Sequence, residues 1–161
     1  METGTSRTST TLTQPTCIYS AYEPIAYALL RITTGAVLLT HGLPKALGTS
    51  HGSMTDPMAG SINLIENVMG LPFAPQLAIG VMLLETIGAV MLAAGMATRA
   101  VALLFLVEMV GICFALGPTW PWIDRGIEYP AVLGVLSLYM FARGGGNWSA
   151  DERFHRRQRL I

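Results

Sequence analysis

Three ionisable residues lie inside stretches that are long and apolar enough to cross a membrane. Residues 77–116 hold two such hydrophobic passes, with Glu85 near the middle of one and Glu108 near the middle of the other. Arg31 lies in an earlier apolar pass. An ionisable group at bilayer depth costs roughly 2.5 to 3.5 kcal/mol on insertion scales, so it normally faces the interior of a helix bundle and has a partner. We therefore expect Arg31 to meet both carboxylates in one layer of the bundle.

One guanidinium facing two carboxylates would leave an excess negative charge in a medium of low dielectric constant. Two carboxylates that share a site resist ionising together, and an unpaired buried charge is costly. We therefore predict that Glu85 and Glu108 together hold a proton at neutral pH and form a proton-accepting site. The alternative is an interhelical ion network that only fixes the register of the helices.

The distribution of apolar residues indicates the elements that carry these groups. Of the 161 residues, 52% are hydrophobic and 12% are charged, and the charges mostly lie between long apolar blocks. A helix needs roughly 20 mainly apolar residues to cross a bilayer. The sequence therefore predicts an all-α fold, a transmembrane four-helix bundle. Its approximate spans are residues 25–41, 76–96, 98–116 and 129–141.

Prolines and glycines set the predicted limits of the first elements. Pro24 suits the first turn of a helix, where its missing N–H is no loss, and Gly42 and Pro44 are expected to end the first span. Asp56 is a suitable cap for a short amphipathic helix over residues 57–70, between the first two spans. This helix is too short and polar to cross a membrane, so we place it at the membrane interface.

Basic residues are concentrated on one side of the predicted spans. That side holds Arg7, Arg99, Arg143, Arg153, Arg156, Arg157 and Arg159. The other side holds Lys45 and Arg125. The positive-inside rule therefore predicts both termini in the cytoplasm. The chain divides into a flexible cytoplasmic tail (1–22), a membrane domain (23–143) and a basic cytoplasmic tail (144–161), whose arginines favour topology and lipid contact over nucleic-acid binding.

Several motifs together resemble the DoxX family of small four-helix bacterial membrane proteins. They are Leu30-Arg31 with Gly35, His41-Gly42-Leu43-Pro44-Lys45, Glu85 with Gly88, Gly95 with Thr98-Arg99, Glu108, and the closing Gly144-Gly145-Gly146-Asn147-Trp148-Ser149-Ala150-Asp151. The resemblance covers nearly the whole chain after the first 20 or so residues. The family usually has leucine before the final aspartate, where this chain has Ala150.

The resemblance implies a redox setting in a bacterial inner membrane. Some members of the family look like subunits of quinone-linked oxidoreductases, including thiosulfate oxidation systems, and others are linked to thiol or oxidative-stress defence. In that setting we predict an integral membrane subunit that binds quinone or a small polar ligand at Arg31, Glu85 and Glu108, because an arginine and a protonatable carboxylate can supply the hydrogen bonds and the proton path that quinone chemistry needs. If it belongs to an enzyme, that enzyme is a quinone-dependent oxidoreductase. The implied partners are membrane lipid and another subunit or a second copy of the chain; no catalytic residue transfers from the family.

Two other functions stay open at this point. The chain could be a non-catalytic accessory or assembly subunit, which would tolerate Gln at both glutamate positions provided that the spans pack. It could also be a transporter for a small solute, with uptake that depends on the same charges.

Two further polar groups stand at the predicted ends of the spans. His41, Lys45 and Glu128 are expected to form an outer polar cluster, either as plain surface or as a lid or substrate contact. On the cytoplasmic side the resemblance points to Arg99, Trp148, Ser149 and Asp151. Ser149 and Glu152 also have the spacing of a capping box, which would open a short basic helix.

Haem and metal are not expected from the sequence. His51 lies in a loop and His155 in the C-terminal tail, so no two histidines are predicted to face each other across spans, as bis-histidine haem requires. Cys113 near Met109 is more typical of core packing than of a copper site.

Overall fold

The computed structural model describes the backbone of residues 16–158 and the side chains of residues 22–158. Most of the predicted flexible tail, residues 1–22, therefore lies outside the described residues. Within the described part, the only extended pairing is a single bridge between His51 and Met54. Every other regular element there is helical, which confirms the all-α fold.

Seven α-helices follow one another along the described chain. They are α1 Thr16–Leu47, α2 Pro57–Asn63, α3 Ala74–Leu83, α4 Ala89–Ala94, α5 Thr98–Leu116, α6 Glu128–Arg143 and α7 Ala150–Gln158. A π-helical turn, Leu64–Val68, continues α2, and a second one, Leu84–Gly88, joins α3 to α4. We call the continuous unit from Ala74 to Ala94 the second span.

Helix α1 is longer at both ends than the sequence predicted. Pro24 and Pro44 both lie inside it, so the predicted boundaries at these prolines were wrong. Proline removes one helical hydrogen bond and disfavours the helix interior, but it marks a probable boundary and not an obligatory one. The helix ends instead at Gly48, which adopts a left-handed conformation with φ of +63°. The Thr49 N–H then donates to the Pro44 carbonyl over 3.0 Å.

Three helices are long and apolar enough to cross a membrane: Tyr22–Leu47, Ala74–Ala94 and Thr98–Leu116. The third matches its predicted limits, and the second is shifted by two residues at each end. Large apolar side chains on these helices point outward, among them Ile87, Val107 and Phe114. Such an apolar surface would be unusual in water. Because it occurs on helices of membrane length, the chain is a multi-pass membrane protein. Helix α6 has 16 residues and is shorter than these three.

Glycines allow α1 to approach the second span closely. A Cβ on Gly35 would lie 2.6 Å from the Ala89 carbonyl oxygen, and a Cβ on Gly42 would lie 2.6 Å from the carbonyl carbon of Glu85. Small residues have this role in helix packing within membranes, where backbones must come together to gain van der Waals contact. The backbone of Glu85 is therefore pressed against α1.

Helices α5 and α6 complete a shared core. Phe105 is fully buried at its centre, with Leu92 of α4 and Met140 of α6. The same apolar cluster includes Tyr27 and Leu38 of α1. One core thus draws side chains from α1, the second span, α5 and α6.

The segment formed by α2 and its π turn packs on the N-terminal part of the second span. Asp56 caps α2 as predicted, since its Oδ1 accepts a hydrogen bond from the Ala59 N–H over 2.9 Å. Ile65 is buried in a separate apolar cluster with Ala74 and Ala78. The apolar stripe of this segment is therefore covered by protein.

The close approach at Gly42 yields a test of the packing. Gly42→Ala places a methyl group within 3 Å of backbone atoms of Glu85, and overpacking of this kind typically costs about 1 to 3 kcal/mol. We expect a lower midpoint of thermal unfolding in detergent. Gly80→Ala is the matched control, because no atom lies within 4 Å of the added methyl; equal midpoints for the two variants would contradict this packing.

Candidate functional site

A buried ion pair links α1 to the middle of the second span. Lys45 Nζ lies 2.5 Å from Glu85 Oε2, and the two side chains are only 12% and 5% exposed. Glu85 belongs to the π turn Leu84–Gly88, and π turns inside α-helices often mark functional sites. Thr86 in the same turn donates to the Met82 carbonyl over 2.7 Å. Because α1 continues through Pro44 to Leu47, Lys45 lies within the helix and reaches this carboxylate.

Glu108 of α5 is the third member of the group. Its carboxyl group is acted on by the charge of Glu85 and, more weakly, by that of Lys45. In the described part of the chain, no N–H or O–H donor reaches either of its buried oxygens. The carboxyl groups of Glu85 and Glu108 can bond to each other only if one of them carries a proton, since an ionised carboxylate is solely an acceptor. We call Lys45, Glu85 and Glu108 the buried charge triad.

The helical segment after Asp56 covers the triad on the side of the start of the second span and the end of α5. Ile65 packs on Ala78, which precedes Glu85 by two helical turns. Met69 Cε lies 3.6 Å from the position of a Cβ on Gly111, and Gly111 follows Glu108 by about one turn of α5. Protein thus lies between the triad and this end of the bundle on both helices.

Arg31 does not join the two carboxylates, so the prediction of a single layer was wrong. Its guanidinium donates to the carbonyl of Ala93 at 3.3 Å, to that of Trp148 at 2.7 Å, and to that of Gly145. Arg31 precedes Lys45 by fourteen residues, which is roughly 21 Å along a helix. Carbonyl oxygens near the end of α4 carry the negative end of the helix dipole, so Arg31 is neutralised without a carboxylate in contact.

The predicted cytoplasmic motif closes around this arginine. Asp151 accepts hydrogen bonds from the N–H groups of Ala97 at 2.7 Å and Thr98 at 2.9 Å. It therefore caps the first turn of α5 from a distant part of the sequence. Ser149 is the cap of α7, because its Oγ accepts from the Glu152 N–H over 3.1 Å. We call the residues around Arg31, which are Gly145, Trp148, Ser149 and Asp151, the C-terminal anchor.

The remaining members of that motif fit the same region. A Cβ on Gly144 would lie 3.1 Å from Arg99 Nε, so Arg99 flanks the glycine run. Tyr27 donates its hydroxyl to the Gly144 carbonyl, and the Arg143 guanidinium lies 4.1 Å above the Tyr27 ring. Sequence reasoning missed Tyr27, and its position one turn before Arg31 was the available signal.

The predicted outer cluster of His41, Lys45 and Glu128 does not form one site. Lys45 belongs to the triad, and Glu128 accepts a hydrogen bond from the Trp122 N–H over 3.2 Å. The His41 ring lies instead beside those of His51, at 5.0 Å between centroids, and Tyr129, at 6.2 Å. Because Pro44 was taken as a helix end, the sequence analysis placed Lys45 at the surface.

Residues that could hold a metal do not gather in the described part of the chain. No group of three or more His, Cys, Asp or Glu side chains there has a geometry suited to an ion. Cys113 lines an apolar groove of about 330 Å³ between α5 and α6, together with Met109 and Gly134.

Membrane-length helices, a shared core and a buried charge triad define the class as a multi-pass membrane protein with an ionisable site. The chain belongs to the DoxX family, whose model matches residues 26–118. It is also similar to a Bacillus subtilis (strain 168) protein named "Putative oxidoreductase CatD", with 29% identity over 120 residues, 74% of this chain and 80% of that one. No solved structure matches the chain. Family and relative together indicate a membrane protein associated with redox chemistry.

The contribution of the ion pair to stability can be tested with a single variant and a double variant. Lys45→Met leaves the Glu85 carboxylate buried without its partner, and breaking a buried pair in this way costs about 3 to 5 kcal/mol. We expect a large fall in the midpoint of thermal unfolding in detergent, and recovery of most of it in the double variant Lys45→Met/Glu85→Gln. If the double variant is as unstable as the single one, the cost does not come from the unpaired charge.

Proposed function

We propose that the protein is an integral membrane subunit of a quinone-linked redox system and that the buried charge triad is its ligand and proton site. The observation that carries this proposal is a second buried carboxyl group, Glu108, beside an ion pair that is already complete. A purely structural pair needs Lys45 and Glu85 alone. The additional carboxyl group provides a place where a proton can be taken up or released.

The charge balance of the triad favours a neutral ligand. One ammonium and two ionised carboxylates would carry a net negative charge that burial makes costly, so the triad is most stable with one bound proton. A protonated carboxyl group can donate a hydrogen bond to a carbonyl oxygen, and a carboxylate can accept one from a hydroxyl group. Quinone and quinol present these two groups and are themselves uncharged.

Arg31 has no place in this ligand site. Its guanidinium donates to the backbone carbonyl of Ala93 in α4 and to two carbonyls of the C-terminal anchor, those of Gly145 and Trp148. The proposed site therefore replaces Arg31, Glu85 and Glu108 of the sequence prediction by Lys45, Glu85 and Glu108.

An apolar groove lies on the surface between α5 and α6 and is a candidate for an isoprenoid tail. It is lined by Leu106, Met109 and Pro130, and its lining is almost wholly apolar. Glu108 is on α5 but is not among the lining residues, so a tail in this groove would approach the triad from the neighbouring face of α5.

We propose that α6 is a fourth span in a bacterial inner membrane, with both termini in the cytoplasm. Its 16 residues extend over roughly 24 Å, short of the roughly 30 Å hydrocarbon core. Arg143 at its end can reach the interface with its long side chain. The partner in the redox system would be a further subunit or a second copy of this chain.

The topology is testable with single cysteines in a Cys17→Ser/Cys113→Ser background. We expect Ser53→Cys, in the loop after α1, to react in intact cells with a thiol reagent that does not cross the inner membrane. Gln158→Cys at the end of α7 should react only after the cells are broken. Both residues are exposed, so the opposite pattern would reverse the orientation.

Quinone content tests the function directly. We expect near-stoichiometric quinone in solvent extracts of the purified protein, and a tenfold or greater drop in Glu108→Gln. The amide cannot ionise to the carboxylate that would accept from a quinol hydroxyl group, and a hydrogen bond to a charged group contributes about 1.5 to 3 kcal/mol. Mass spectrometry at matched lipid content provides the measurement. Glu128→Gln is the control, since Glu128 lies outside the triad.

Two outcomes would count against the proposal. Equal quinone in the wild type and in Glu108→Gln would remove the triad from quinone binding. Background quinone in every sample would favour an accessory subunit that carries no quinone.

A further inference from the structure

Helix α7 is held at the level of the turn between the second span and α5. Asp151 in its first turn accepts from the N–H groups of Ala97 and Thr98, and its own N–H donates to the Gly95 carbonyl over 3.0 Å. The turn at residues 95–97 joins two helices of membrane length, so it must lie at a membrane surface. The first turn of α7 therefore lies at that surface too.

The attachment of α7 reaches into the core of the bundle. The carbonyl of Trp148, two residues before α7, accepts from the buried guanidinium of Arg31. A Cβ on Gly95 would lie 2.5 Å from Ser149 Cβ and 2.8 Å from Arg31 Cζ. No side chain fits there, so the chain entering α7 is packed directly on the end of the second span. A ligand bound to α7 is consequently linked, through these contacts, to the packing at the end of the second span.

The outer surface of α7 is basic. Its exposed cationic or potentially cationic residues are Arg153, His155, Arg156 and Arg157. Arg156 is paired with Glu152 at 2.8 Å, whereas Arg153 and Arg157 have no ion pair within the described residues. These two arginines are four residues apart and so share one face of the helix. The face turns away from Asp151, which points at the bundle.

Two large apolar side chains accompany the arginines. Phe154 is 62% exposed and Trp148 is 64% exposed. A helix with basic and aromatic residues that lies at a membrane surface matches the pattern of interfacial helices that bind anionic lipid. Phe154 follows Arg153 directly, so an exposed apolar side chain lies beside the basic face of α7.

We propose that Arg153 and Arg157 of α7 form a binding surface for the phosphate headgroups of anionic phospholipid. Guanidinium groups bind phosphate oxygens through paired hydrogen bonds, and Phe154 enters the boundary between headgroups and acyl chains. Because the C-terminal anchor joins α7 to Arg31 and to the cap of α5, lipid bound here stabilises the bundle. The proposal does not depend on quinone binding.

The test uses the full-length protein reconstituted in an equimolar mixture of phosphatidylglycerol and phosphatidylcholine. After limited detergent extraction, we expect the lipid retained by the wild type to be enriched in phosphatidylglycerol. In Arg153→Gln/Arg157→Gln the ratio should return to that of the mixture. Arg125→Gln, which removes a basic residue outside α7, should keep the enrichment. High salt should reduce the enrichment in the wild type, because exposed charges are screened.

A stability measurement tests whether lipid binding is transmitted to the bundle. The midpoint of thermal unfolding should rise in phosphatidylglycerol relative to phosphatidylcholine for the wild type and for Arg153→Lys/Arg157→Lys, which keeps both charges. It should not rise for the glutamine variant, whose midpoint in phosphatidylcholine alone should equal that of the wild type. The proposal is overturned if the wild type shows no enrichment, or if the glutamine variant keeps it.

Discussion

The structure depends on how three charged side chains are neutralised in an apolar interior. Lys45 and Glu85 neutralise each other at 2.5 Å, and that contact requires α1 and the second span to lie backbone to backbone. Gly42 makes this possible because its missing side chain leaves room for the backbone of Glu85. A buried pair is not in itself a strong source of stability. What it does impose is a unique alignment of the two helices, since sliding either one would leave two charges unpaired.

Arg31 satisfies the same constraint by a different route. Its partners are carbonyl oxygens of Ala93, Gly145 and Trp148, so backbone dipoles neutralise the charge. Every residue has a backbone carbonyl, so the residue types in the sequence do not reveal these partners. The cost is that the segment 144–149 must fold back against the helix ends. Gly144 and Gly146 permit this with φ values of +82° and +72°. The C-terminal region is thus tied to the bundle, and its basic helix begins at a fixed place.

Much of the fold could be predicted from residue patterns, whereas the composition of the site could not. The limits of α5 and the caps at Asp56 and Ser149 follow local rules, which act over a few residues and are visible in a single sequence. The pairing of Lys45 with Glu85 depends on α1 continuing through Pro44, a long-range outcome that local rules disfavour. The sequence analysis paired Arg31 with carboxylates because a group of opposite charge is the expected partner. Free backbone carbonyls at a helix end can compete for the guanidinium, but side-chain types do not indicate where such carbonyls lie.

The π turn Leu84–Gly88 affects the geometry of the second span beyond Glu85 itself. In an unbroken α-helix the side chains drift in angle, so a long contact with a straight neighbour gradually rotates out of alignment. The additional residue in the wider turn resets the angular phase of the helix. Glu85 meets Gly42 near the start of this turn, and Ala89 meets Gly35 directly after it. The second span works as two half-helices in phase with the same neighbour, and shortening it by one residue within this turn would put one of the two contacts out of phase.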